Sequence, residues 1–498
     1  MCDIEAAVAR LQAVAIDRAV LERRCGSSVV SATSDRVLQK VSAVQAAAGG
    51  VFGDAVLESA VTHSVYTSPM AHYRQRCRFL VLVDADDATA PVRVADFYRD
   101  KARPYTKDTL PAYPSAAIQL VLRRLIVALE GGAPRAVVSE DSVATLRDGV
   151  RGAMCLSASA TGETILVLTY DRAIDDADDA WEDAATPLRA FLSTDAAAAI
   201  VVPGQVARDE VAADAALPLR VSLLGRSKGK LRVLGRSYIE ETFRLPAVDV
   251  EDDDSGFFPP LELVYRQIEG SFTNPNATVA MHTLNWLRAS VATIRALNGG
   301  VVTDLLELYC GGGNHTVALA RCFRRVVGVE IDRKLCEVAT TNLALNQCTN
   351  AAVVRTPSAR FCKAMLRTSG GYLLRTMEKQ GLALGSLSLP AGGSVPGATE
   401  AEADATSSPA SPVTESVAEY DFETVLVDPP RAGLDATTRA LVARYRYVLY
   451  ISCSPLESLK RDLGELSETH ALHRMAYFDH WPLHDFHFEA AVLLVRRD

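Results

Sequence analysis

The stretch LELYCGGGNHTVALA, residues 306–320, runs from an apolar strand through a glycine-rich turn into a helix. Consecutive glycines let a ligand approach the backbone, and the helix start beyond them offers N–H groups without intrahelical partners. This is the turn of a nucleotide-type βα unit. About 20 residues on, at the end of the next apolar run, Glu330 is placed to accept hydrogen bonds from a ribose diol. NAD and S-adenosylmethionine both suit such a pair. The spacing GxGxxG is absent, because Gly311, Gly312 and Gly313 are consecutive and Asn314 follows, and this disfavours the dinucleotide.

Outward from that turn the chain alternates. The predicted strands are DLLELY (304–309), RVVGVEI (325–331), AAVVRT (351–356), TVLVDP (424–429) and YVLYIS (447–452). Amphipathic helices lie between them, and a long helix over about 276–297 precedes them. Apolar strands separated by such helices imply a parallel sheet covered on both faces, with ligands at the carboxyl ends of its strands. Residues 72–245 read differently. Short alternating runs such as RFLVLVD, PVRVADF, ETILVLTY and PLRVSLLG, with a helix at 116–129, predict an antiparallel sheet with helices. The expected organisation is an α+β domain over 1–255, with a helical extension at 1–60, followed by an α/β domain over 256–498. Residues 380–418, biased to Ala, Ser, Gly, Pro and Thr, read as a disordered insertion.

Composition bounds the rest. A chain of 498 residues exceeds the usual single-domain size, and 49% hydrophobic with 23% charged residues is ordinary for a globular protein. No apolar run reaches the roughly 18 to 20 residues that span a bilayer, and acids come too early for a leader peptide. The expected setting is intracellular, in the cytoplasm, with nucleus and organelle left open. Ten scattered cysteines without a CxxC pair indicate neither a zinc ribbon, a cysteine-ligated iron–sulfur cluster nor a disulfide framework. The net charge of −9 argues against bulk nucleic-acid affinity, but HYRQRCR (72–78) and GRSKGKLRVLGR (225–236) are local basic segments.

Three further stretches carry chemistry. In VLVDPPRAGLD (425–435), Asp428 ends a buried strand and two prolines stiffen the turn that follows. Asp-Pro-Pro in this place is like the turn by which many adenosylmethionine-dependent methyltransferases hold a planar substrate. In YVLYISCSPLESL (447–459), Ser454 reads as a helix N-cap and Glu457 as its capping-box partner, which sets Cys453 one residue before the cap. A positive helix terminus there predicts a thiol pKa below the ordinary value and a nucleophilic sulfur. In DHWPLHDFHFEAAVLLVRR (479–497), Glu489 opens a final strand, where an enclosed carboxylate serves as a general base. His480, His484 and His487 lack acid or cysteine partners at ligand spacing, so they read as structural or RNA-contacting and no metal is expected.

Taken with MAHYRQRCRF (70–79), LLGRSKGKLRVLGRSYIEE (223–241) and VYRQIEGSFTNPNATV (264–279), these motifs resemble the bacterial-type tRNA (uracil-5-)-methyltransferase family. That family forms ribothymidine in the T loop of tRNA. The resemblance covers roughly residues 70–378 and 420–495. It implies a C-terminal Rossmann-like domain that uses S-adenosyl-L-methionine, an N-terminal α+β domain that binds the T arm, and methylation of carbon 5 of uridine U54 by a monomer. The family's nucleophile falls on Cys453 and its base on Glu489. Its cofactor contacts fall on Asn274, Tyr309, Asn314, Glu330 and Asp428. Tyr73, Arg74, Arg76, Arg78 and Arg431 are the candidate RNA contacts. Asn274 stands where the family usually has glutamine, and Ser454 where it has asparagine.

The residues fit this chemistry on their own terms. Carbon 5 of uracil is too weak a nucleophile to attack a sulfonium methyl directly. A thiolate added at carbon 6 makes carbon 5 electron-rich, and a base must then remove the carbon 5 proton so that the sulfur can leave. The target base is stacked in the folded loop and has to be extruded. Two other readings stay open: an RNA 5-methylcytosine methyltransferase, and a tRNA-folding chaperone without catalysis. The first normally has a cysteine after the proline of the Asp-Pro turn, where this chain has Pro430.

Overall fold

The structure, a computed structural model, describes residues 16–25, 27–84, 87, 90–98, 103–174, 179–193, 218–248, 258–368, 376, 379–380, 420–484 and 487–497. Residues 381–418 of the expected insertion, and the first 15 residues of the helical extension, lie outside them.

The chain forms two compact units: a larger one of Met1–Thr67, Leu245–Leu263 and His282–Asp498, and a smaller one of Ser68–Arg244 and Val264–Met281. The expected division at 255/256 is corrected by this. The N-terminal extension belongs to the unit that holds the glycine turn, because its helices share that unit's core.

The larger unit is built on an eight-stranded sheet. Its strands are β1 (Thr62–Tyr66), β2 (Asp304–Leu308), β3 (Val326–Glu330), β4 (Ala351–Arg355), β5 (Phe422–Val427), β6 (Tyr447–Ser452), β7 (His470–Phe478) and β8 (Glu489–Arg496). Their order is β1-β7-β8-β6-β5-β2-β3-β4. Neighbours are parallel except that β8 runs antiparallel to both β6 and β7. Every residue of β2, β3 and β6 is buried, as continuous apolar strands under helices on both faces require. The five predicted strands are all present, with ends that differ by at most two residues. β1 and β7 were not anticipated.

On one face, the helices Arg18–Cys25, Ser27–Ala32, Asp35–Phe52 and Asp54–Ser59 bury Leu21, Val30, Leu38, Val41, Val44 and Leu57 in one core with β2, β3, β5, β6 and β8. Gln380 anchors the start of the 380–418 segment at the sheet edge. Its amide donates to the Arg355 carbonyl (2.9 Å) and accepts from the Arg355 N–H (3.0 Å), as a further strand would.

The smaller unit holds a six-stranded sheet, antiparallel apart from one parallel pair, Glu163–Tyr170 with Arg220–Ser227. Parallel neighbours need a crossover, and the helix Asp179–Leu192 lies in it. Along Arg76–Leu82, Cys77, Phe79 and Val81 are buried while Arg76, Arg78 and Leu80 face the other way.

Candidate active site

The chain leaves β2 towards β3 and β4 on one side and places β5 and β6 on the other, so the carboxyl ends of β2 and β5 flank the topological switch point. Tyr309, the first residue beyond β2, adopts φ +64°. An aromatic residue in the left-handed region is held there by its surroundings and marks a functional turn. Gly313 follows at φ +77°, and a Cβ on it would lie 3.1 Å from that of Ala339, so the turn closes only with glycine. Asn314 opens the helix Asn314–Leu319. Beneath it the buried Glu307 accepts from the Thr316 hydroxyl (2.6 Å) and lies 3.5 Å from His315 Nδ1.

Glu330, at the end of β3, is already engaged. Its Oε2 accepts from Gly311 N (3.0 Å), and its Oε1 from the N–H groups of Ile331 (2.7 Å) and Asp332 (2.8 Å). Oε2 keeps acceptor capacity for a ribose hydroxyl, while the two N–H groups on Oε1 fill its lone pairs, and the three donors fix the orientation of the carboxylate. Ile331 beside it is 63% exposed, an apolar surface suited to a flat heterocycle. The left-handed turn, the oriented carboxylate and this apolar ledge fit S-adenosyl-L-methionine. Ile331 escaped sequence reading because nothing in RVVGVEI distinguishes it from its buried neighbours.

The antiparallel course of β8 builds the second half of the site. Its amino-terminal end meets the carboxyl ends of β6 and β7. Register pairs Ser452 with Ala490 and Phe478 with Glu489. Cys453 and Glu489 are therefore next in line across β6 and β8, at the same end of the sheet as Asp428. His480, two residues beyond β7 and fully buried, brings its Nε2 to 3.1 Å from Glu489 Oε2. Burial alone pushes the Glu489 carboxyl up, but His480, aided by His315, outweighs it and holds the group below the usual carboxylate range. Asp428 is pushed up to about 7, by burial first, with His315 pulling the other way and Glu489 and Glu307 adding to the rise.

One expectation fails here. The Cys453 thiol is raised, to about 11, by burial first and then by the charges of Glu489 and Asp428, with Arg431 opposing. The helix that was to lower it begins as a π-helical turn, Pro455–Leu459, and the Ser454 side chain makes no capping hydrogen bond to it. The capping box is not formed. Instead the Ser454 carbonyl accepts from the Ser458 hydroxyl (3.2 Å) and the Leu459 N–H (3.3 Å).

A buried carboxylate that sequence reading passed over joins the two turns. Asp462, with no exposed surface, accepts from Leu434 N (2.9 Å), the Tyr450 hydroxyl (2.7 Å) and the guanidinium groups of Arg461 (2.7 Å) and Arg439 (3.2 Å). It ties the Pro-Pro-Arg-Ala-Gly loop to the helix after Cys453. Gly433 leaves room for it, since a Cβ there would approach Asp462 Oδ2 to 2.7 Å. Asp462→Ala removes the acceptor of the Tyr450 hydroxyl and the Leu434 N–H, whereas Arg439 keeps Glu465 and the Leu434 carbonyl and the half-exposed Arg461 keeps the Ala432 and Leu434 carbonyls. Urea unfolding of this variant is therefore expected to show a loss of about 1 to 3 kcal/mol. A loss below about 1 kcal/mol would remove Asp462 from this role.

The remaining candidates lie in the smaller unit. Asn274 accepts from Asn276 N (3.1 Å), and Asn276 in turn caps the helix Ala277–Leu297 through Val279 N (3.3 Å). Tyr73 is only 3% exposed and packs near Tyr113, so its ring offers no face to a nucleotide and its candidacy is withdrawn. Arg74 lies against Tyr113 and bonds the Arg76 carbonyl (3.0 Å). Arg78 sits over the Phe97 ring, 5.4 Å from its centroid, beside Tyr98, which is 64% exposed. Phe97 and Tyr98, two residues the sequence reading did not select, thus form an open aromatic surface beside Arg78.

Sheet order, glycine turn and fixed carboxylate define the class: a Rossmann-like methyltransferase dependent on S-adenosyl-L-methionine. The fold is shared with the Pyrococcus abyssi tRNA (uracil-54, C5)-methyltransferase solved in complex with S-adenosyl-L-homocysteine. The match has a TM-score of 0.50 and 16% identity over 92% of this chain and 83% of that one. The tRNA (Uracil-5-)-methyltransferase family profile matches residues 55–380 and 414–497. The tRNA/tmRNA (uracil-C(5))-methyltransferase of Cronobacter sakazakii is 31% identical over 433 residues, 87% of this chain and 90% of its own. That of Chromohalobacter salexigens is 32% identical over 435 residues, 87% and 89%. The chain belongs to the tRNA (uracil-5-)-methyltransferase family.

Proposed function

We propose that the protein methylates carbon 5 of uridine U54 in the T arm of tRNA, by way of a covalent bond between Cys453 and carbon 6. The observation that carries this reading is the β6–β8 register, which sets a thiol and a carboxylate side by side at the ligand end of the sheet, next to Asp428. S-adenosyl-L-methionine, when bound along Tyr309, Gly311, Asn314 and Glu330, supplies an electrophilic methyl group. Cys453 gives its proton to solvent and its sulfur bonds carbon 6, moving the ring's electron pair towards carbon 5, which takes the methyl group as the methyl–sulfonium bond breaks and a neutral thioether leaves. Glu489 then accepts the carbon 5 proton. The freed pair restores the 5,6 double bond, the carbon–sulfur bond breaks, and Cys453 leaves as thiolate. Arg431 offsets negative charge beside the sulfur. Arg76, Arg78, Phe97 and Tyr98 are the surface we assign to the RNA, joining cations to a stacking ring.

Purified protein, labelled S-adenosyl-L-methionine and an unmodified tRNA transcript test the reading. Label in ribothymidine at position 54 supports it. Label in 5-methylcytosine, or tight binding without transfer, replaces it with one of the alternatives.

A pH dependence follows. The nucleophile's pKa is raised, so the thiolate fraction grows about tenfold per pH unit below about 11. Glu489, held low, is already ionised at neutral pH and adds no opposing limb there. Asp428, raised to about 7, ionises within this range and pushes the thiol up further, so single-turnover methyl transfer is expected to climb with a positive log–log slope below +1 between roughly pH 6 and 8.5. A profile that is flat or falls over that range contradicts a thiol-limited step.

A further inference from the structure

We propose that Lys40, on the N-terminal helix Asp35–Phe52, is a positioning residue for Glu489; the inference rests on the reading of Glu489 as the base. Lys40 is 2% exposed and lies among Val37, Leu38, Val41 and Val44, on a helix face where leucine or methionine would pack without a desolvated charge. Its ammonium meets Asp479 Oδ1 at 2.9 Å, a pair in which both side chains are 2% exposed. It also donates to the carbonyls of Trp481 (3.4 Å) and His487 (3.2 Å). One helical turn earlier Arg36 donates to the Pro482 carbonyl (3.2 Å).

These contacts bracket the site. Asp479 immediately precedes His480, whose imidazole holds Glu489 at 3.1 Å, and His487 lies two residues before Glu489 itself. A single cation thus fixes the chain on both sides of His480 and again two residues before Glu489. Two hydrogen bonds to main-chain carbonyls set backbone position, which a pairing needed only to neutralise Asp479 would not require. The helix lies before residue 55, where the family match begins. Displacement of a base by about 1 Å is enough to cost two orders of magnitude in rate.

The test uses the full-length chain with Lys40→Met, which keeps length and apolar packing. Expected are a 10- to 100-fold fall in kcat, KM for tRNA within about twofold of the parent, and enrichment of a protein–RNA adduct on denaturing gels, since loss of base alignment stalls the step after methylation. A purely structural role would lower the unfolding temperature without enriching the adduct. Should Lys40→Met fail to fold, Arg36→Ala removes the Pro482 contact at an exposed side chain and is expected to enrich the adduct two- to fivefold. Unchanged adduct and kcat in the folded variant, at temperatures well below unfolding, overturn the inference. Glu489→Gln separates the two claims. If it traps adduct and Lys40→Met does not, the positioning role alone fails; if neither does, the base assignment fails with it.

Discussion

Cys453→Ala is expected to lose methyl transfer by a factor of about 10⁴ or more while binding unmodified tRNA within about threefold of the parent. In the proposed reaction every step passes through the carbon–sulfur bond, so no residual route to an electron-rich carbon 5 remains once the sulfur is gone. The rest of the site is indifferent to the change. Cys453 is only half buried, at the end of β6 and outside the main core, so truncation should cost about 1 kcal/mol or less. It also removes a group that the two neighbouring carboxylates already disfavour as an anion. Cys453→Ser should fare no better, because an alkoxide is harder to form beside those charges than a thiolate. The measurements are transfer of labelled methyl at saturating substrate and filter binding of the same transcript. Turnover within about tenfold of the parent would mean that carbon 5 is activated without covalent help.

How much of this was legible depends on the distance over which each feature is decided. YVLYIS and RVVGVEI read as strands because they are apolar on both sides, and buried parallel strands have no polar face to confuse the pattern. The glycine turn and Asp428 were legible for the same local reason. β7 was not: in HALHRMAYF the exposed and buried positions do not alternate regularly, and its register with β8 shifts between Leu472 and Arg474. β1 is five residues long and pairs with a strand some four hundred residues away, and no local window carries that information. The Lys40–Asp479 pair spans 439 positions and has the same cause. The thiol's ionisation failed more instructively. Sequence placed Cys453 before a helix, which lowers a pKa, but burial raises it first, and the opposing carboxylates then arrive from β5 and β8, which only the sheet order brings together. His480 likewise looked like one of three loose histidines until the antiparallel register set it against Glu489.

Glu489→Gln is expected to reduce turnover by about 10² to 10⁴ and to accumulate a protein–RNA adduct that survives denaturing gels. The amide keeps the shape of the carboxylate and still meets His480 Nε2 at the 3.1 Å position, so the fold should hold and the loss should lie in proton removal. The charge change adds a second, less obvious effect. Glu489 is the largest of the charges that raise the Cys453 thiol, after burial. Neutralising it lowers that pKa, so more thiolate is present at a given pH and addition to carbon 6 should be faster than in the parent, even as release becomes slower. Rapid-quench sampling at about pH 6.5, where little of the parent thiol is ionised, resolves both: early adduct formation should rise and its decay should fall. If the variant instead forms adduct more slowly than the parent, Glu489 acts before methylation, taking the proton from the thiol rather than from carbon 5. That result would transfer the role of second base to Asp428, whose carboxyl titrates at about 7 on the other side of the sulfur.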